Sequence, residues 1–138
     1  MSGLSAFLNP TYTEKTAKVY VSDRFLDDEG KPVAFELRAL KQEVLEAIAK
    51  ASQKEETIDG RKVKVLDKSL HLNRCIVESC VYPDMKNKEL CNRFGTELPA
   101  DLPKKMLFVE EYEKLARAFL ELNGLSDDSP ELGEITKK

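Results

Sequence analysis

The chain has 138 residues, 41% of them hydrophobic and 34% charged, with a formal net charge of −3. A chain of this length can bury roughly 70% of its unfolded surface around one core. No stretch approaches the ~20 apolar residues of a membrane span, and Lys and Arg are scattered rather than gathered into the basic face that phosphate binding needs, so membrane insertion and nucleic-acid binding are excluded as readings.

The first segment, residues 2–8, reads as a short apolar turn of helix with Leu4, Phe7 and Leu8 on one side. It carries no early positive charge and is too short for a signal peptide, which places the protein in the cytosol. Asn9-Pro10 ends the turn, because the residue before Pro is pushed out of the helical region. A segment this short is not stable alone. It must dock on its own domain, on another copy or on a partner, which makes Leu4, Phe7 and Leu8 the candidate contact residues.

Residues 15–21 alternate and read as a strand, with Val19 and Val21 on one face and Tyr20 on the other. Asp27 to Pro32 is a turn, in which acidic side chains cap local amides and Gly30 supplies a positive φ. Residues 33–38 then form a second strand, antiparallel to the first, with Val33, Phe35 and Leu37 on one face. From residue 40 the period becomes 3.6: Leu40, Val44, Leu45, Ile48 and Ala51 mark a helix over 40–53. Asp59-Gly60 between β-branched runs predicts a tight hairpin over 56–65. Arg61-Lys62-Val63-Lys64, the densest basic group, reads as solvated hairpin charge.

Asp67 caps a helix over 68–81 whose apolar residues cover more than one face, so this is the central helix. Asn87 caps a short helix through Phe94 that Gly95 closes. Pro103 opens a brief helix over 102–107. The last helix, 109–122, shows a narrow seam of Phe108, Tyr112, Leu115, Phe119 and Leu122, and Asn123-Gly124 ends it. From residue 125 the chain turns polar and acidic and loses periodicity. The expected organisation is one domain over residues 1–124 and a flexible acidic tail over 125–138. The expected fold class is α+β and predominantly helical, a small antiparallel strand element and a hairpin packed on about four helices.

Candidate chemistry is sparse. His71 and Cys75 have i, i+4 spacing on one helix, but a structural zinc site needs four ligands, and only Cys80 and Cys91 remain with no CxxC. Cys75 lies on an apolar stripe, where a thiol behaves as a small hydrophobe rather than a nucleophile, and His71 reads as a surface residue. Cys75 and Cys80 point to different faces of their helix, and free thiols are the simplest reading of the odd count. Asp27-Asp28-Glu29 lacks the alternating ligands of a calcium loop. No phosphate-binding glycine motif is present. Neither catalysis nor a cofactor is supported.

Several runs share an order with a known family. Leu4, Phe7-Leu8-Asn9-Pro10, then Val21-Ser22-Asp23-Arg24-Phe25, Asp28-Glu29-Gly30-Lys31-Pro32-Val33, Val81-Tyr82-Pro83-Asp84, Glu89-Leu90, Phe94-Gly95, Lys104-Lys105-Met106-Leu107, Glu111-Tyr112 and Asn123-Gly124 together resemble the XkdN-like phage tail assembly chaperones. Phe35 stands where the family pattern has Trp. Phe108-Val109-Glu110 replaces a Leu-Pro-Gly-like turn, which implies a softer break before the last helix. The resemblance implies a cytoplasmic protein, absent from the mature virion, that keeps the tape measure protein soluble until tail tube protein polymerises around it. Self-association is a further partner expectation, and a structural tail or baseplate component is the alternative role. Such genes also make longer products by programmed frameshifting, and the Lys137-Lys138 ending is compatible with a slippery run. The family carries no catalytic residues to transfer.

Overall fold

The computed structural model describes residues 3–125. Two sheets and six α-helical segments occur among them, so the α+β class holds, and each helical segment falls within one read from the sequence. The strands are β1 (Thr16–Val19), β2 (Phe35–Arg38), β3 (Gln53–Ile58), β4 (Arg61–Leu66) and β5 (Cys80–Tyr82). The helices are α1 (Ser5–Leu8), α2 (Gln42–Ala51), α3 (Lys68–Ser79), α4 (Lys88–Arg93), α5 (Leu102–Met106) and α6 (Val109–Leu122). Ser2 and the acidic stretch from Ser126 onward lie outside the described residues. Leu125, assigned to the tail from sequence, packs against the core, and its N–H donates to the Leu120 carbonyl at 2.8 Å.

The first sheet has the order β1-β2-β5. β1 and β2 pair antiparallel with Val19 opposite Phe35 and Ala17 opposite Leu37. That register puts Phe35 and Leu37 on the buried face and leaves Arg38 exposed, as alternation requires. β5 was read as the end of a helix. Instead the chain leaves α3 at Cys80, whose backbone is extended, and runs directly into pairing with β2. Three residues carry too little periodicity to announce a strand. Pairing with β2 and the bond from Ser79 Oγ to the Arg38 carbonyl, 2.6 Å, decide it.

α3 is the central helix. Leu72, Cys75, Ile76 and Val77 are buried on it, and Asp67 caps it by accepting from the Leu70 N–H at 3.2 Å. Leu115, Ala116, Phe119 and Leu120 of α6 join the same core, which makes the apolar face of α6 wider than the single seam expected. Phe108, read as part of that seam, is 67% exposed. Asn73 is buried but satisfied: it donates to the Ser69 carbonyl at 2.8 Å and accepts from the Tyr112 hydroxyl at 3.1 Å.

β3 and β4 form a separate ribbon from residue 53 to 66, longer than the hairpin predicted. Asp59 and Gly60 both have positive φ, +53° and +78°, the turn whose twist matches a two-residue hairpin. All six β3 residues are exposed, so the ribbon stands away from the core instead of packing on it.

His71 is fully buried, not on the surface, and neither ring nitrogen has a hydrogen-bond partner. Burial pushes its pKa below 6.5; the Leu45 backbone lies near enough to oppose this but outside hydrogen-bond geometry. The ring is therefore neutral in the folded protein. Stability that depends on it is present above the ordinary value and is lost as pH falls through 6.5, where the unfolded chain takes up the proton first. His71→Leu removes two orphaned polar atoms at similar volume. Thermal melts should show it equal to or more stable than the wild type at pH 7, with a flatter profile below pH 6.5. A loss above about 1 kcal/mol would mean that the ring has a polar partner.

Candidate partner interface

The three contact residues expected from sequence sit together on an N-terminal arm. α1 is a single turn, closed by Asn9, whose backbone N–H and Nδ2 both donate to the Ser5 carbonyl. Leu4, Phe7 and Leu8 are all largely exposed, with Phe7 at 81%. Tyr12, not singled out from sequence, is exposed on the segment that follows. The arm joins the body at Lys15, whose carbonyl accepts from the Ala39 N–H at 2.7 Å beside β1.

A second surface is built by Val21-Ser22-Asp23-Arg24-Phe25 against the start of α6. Val21 is buried and anchors the run in the core. Phe25 meets Phe35 edge to face, with centroids 5.7 Å apart. Arg24 reaches across to α6. Its Nε donates to Glu111 Oε2 at 2.9 Å, its Nη2 donates to Glu111 Oε1 at 2.5 Å, and Nη2 also donates to the Met106 carbonyl at 3.1 Å. The guanidinium lies over the Phe108 ring at 4.4 Å and the Phe25 ring at 4.8 Å.

Glu111 is only 6% exposed, so the pair is well shielded on the carboxylate side. The Arg24 hydrogen bonds hold its pKa down at about 2, helped by the Ser22 hydroxyl and the Phe108 N–H, with burial opposing them. The same Glu111 Oε1 accepts from the Phe108 N–H at 2.9 Å, satisfying a donor at the helix start. Leu107 and Phe108 are extended between α5 and α6, so this break is sharp and not the softer one expected. Their extended backbone leaves Phe108 and Val109 standing out from the helix start, Val109 at 77% exposure.

An open groove results, lined by Tyr20, Arg24, Pro32, Phe108 and Lys114 among others. Sequence reading missed it because Arg24 and Glu111 are 87 residues apart. The one available signal was the Phe108-Val109 pair itself, two large apolar residues in succession at the start of α6. Among the described residues no group of three or more His, Cys, Asp or Glu side chains is placed to hold a metal ion. Cys75, Cys80 and Cys91 are free and buried, and burial raises the Cys75 and Cys80 thiols to about 12. No helix of the described residues is long and apolar enough to cross a membrane.

A small α+β domain with apolar side chains set out on an arm and around a charged groove has the surface of a protein that binds a partner rather than the pocket of an enzyme with a bound cofactor. The chain belongs to the phage XkdN-like tail assembly chaperone family, whose model matches residues 4–137. It is 35% identical over 137 residues to the protein YqbN of Bacillus subtilis (strain 168), covering 97% of this chain and 92% of that one. It is 32% identical to XkdN of the phage-like element PBSX of the same organism, covering 97% and 93%. The crystal structure of YqbN superposes with a TM-score of 0.75 at 30% identity, over 91% of this chain and 99% of the other. The resemblance read from sequence is to the family the chain belongs to, and that family is chaperone-type rather than enzymatic.

Proposed function

We propose that this tail assembly chaperone binds the phage tape measure protein and keeps it soluble until tail tube protein polymerises around it. The observation that carries the reading is the family match over residues 4–137. The surface is consistent with it. A long helical client exposes apolar seams, and exposed Phe7, Leu8, Phe108 and Val109 beside charged groups suit an amphipathic helix. In this reading the protein acts in the host cytoplasm and is absent from the mature virion. The acidic stretch from Ser126 onward would help keep the complex dispersed by charge.

Co-expression with the tape measure protein of the same phage tests the reading. The tape measure protein should move to the soluble fraction and be retained by the tagged chaperone, while mass spectrometry of purified particles should find no chaperone. An equally insoluble tape measure protein that is not retained would sink the proposal. Stoichiometric chaperone in the particles would favour a structural tail or baseplate component.

A further inference from the structure

We propose that two copies of this chain exchange their N-terminal arms, each arm laying Phe7, Leu8 and Tyr12 on the Tyr20–Phe108–Val109 surface of the other. The inference concerns self-association through the same exposed residues that the proposed client helix would cover, so a second copy and the client compete for this surface.

The arm needs an apolar seat. From Gly3 to Thr13 it carries no charged side chain, so no ion pair can hold it. Phe7, Leu8 and Tyr12 are 81%, 73% and 65% exposed. One helical turn has no stability of its own in water, so its order must come from packing. The seat has the opposite character, a fixed platform. Tyr20 and Phe108 line one groove, Val109 follows Phe108, and the Arg24–Glu111 pair locks both walls together. Asp23, Lys31, Glu110 and Lys114 give it a charged rim. An apolar centre inside a polar rim is the usual anatomy of a protein interface.

Area selects a second copy as the occupant. Large apolar side chains offer on the order of 150–250 Å² each, so arm and seat each expose roughly 400–500 Å². One arm on one seat buries about 900 Å² in total, below the size of a stable interface. A reciprocal exchange buries about 1,800 Å², within the standard 1,200–2,000 Å². The tether also suits an exchange. Residues 9–14, between α1 and the ladder contact at Lys15, span up to about 20 Å when extended. Because the contact is the same in both directions, it closes as a two-fold dimer and does not propagate.

Sedimentation equilibrium of the purified full chain tests this. The wild type should be a dimer. F7E/L8E in the arm and V109E in the seat should each weaken dimerisation at least tenfold while leaving the circular dichroism spectrum unchanged, with the melting temperature falling only by the modest amount that loss of the dimer entails. Neither alters the core: the arm is exposed, and an acidic residue at the first position of α6 suits the helix dipole. The double variant L8C/V109C gives a second readout, because the native thiols are buried and do not compete. On oxidation it should run as a covalent dimer, and L8C or V109C alone should not. A wild-type monomer at high micromolar concentration, a dimer untouched by both charge variants, or a cross-link within one chain would each overturn the proposal.

Discussion

Ile76→Asp is expected to abolish the cooperative unfolding transition. Ile76 is fully buried in the last turn of α3, in the cluster that includes Phe35 and Leu37 of the sheet and Leu115 and Phe119 of α6. Removing the aliphatic side chain alone costs about 2–5 kcal/mol. The carboxylate adds several more, because it must either sit unpaired in the core or be neutralised there. Together these rival the 5–15 kcal/mol that holds a domain of this kind folded. Far-UV circular dichroism and a thermal melt measure it, and Ile76→Val serves as the graded control, with a loss of about 1 kcal/mol. A soluble Ile76→Asp variant with native helicity and a sharp melt would show that α3 is not the core.

That expectation can be drawn from sequence because α3 is long enough for its pattern to speak. So is α6, whose bounds, Val109–Leu122, match the reading, and so is the ribbon turn, which Asp59-Gly60 announces by conformation alone. What escaped the sequence has a common physical cause: it depends on residues far apart in the chain. β5 is extended because β2 lies beside it. His71 is buried because packing closes over a ring that a lone polar residue gave no reason to place inside. Phe108 fits the spacing of the α6 seam, yet it stands one residue before the helix, in extended backbone, and points outward. Of the candidate interface, the arm was legible as an apolar segment too short to stand alone. The groove was not, since its two walls meet through Arg24 and Glu111.

Glu111→Ala is expected to lower stability by about 2–3 kcal/mol, the range for losing hydrogen bonds to a charged group. The loss is tempered because Arg24 is partly exposed and can turn to water. The Phe108 N–H also loses its acceptor. For a domain of this size the melting temperature should fall by roughly 6–10 °C. The pH dependence gives the sharper signature. The folded pKa of Glu111 is depressed from 4.5 to about 2, so its contribution is fully present above 4.5 and is lost as pH falls from there toward 2. Acid titration of the wild type should show this loss, and Glu111→Gln should show less of it. Equal acid profiles for the two proteins would mean that the pair does not support the fold. Arg24→Lys should recover only part of the stability, because an ammonium cannot reproduce the two-pronged contact with the carboxylate or the stacking on Phe108.

The 87-residue separation between Arg24 and Glu111 also sets a clock. A bacterial ribosome adds on the order of 5–20 residues per second, so Arg24 waits roughly 4–17 s for its carboxylate to be synthesised. The groove between Tyr20 and Phe108 therefore cannot exist on a nascent chain until Glu111 has been synthesised. The arm, by contrast, precedes both walls in the chain and is made before them. A newly begun chain can present its arm to finished neighbours before it has a seat of its own, so the two halves of the surface mature in a fixed order.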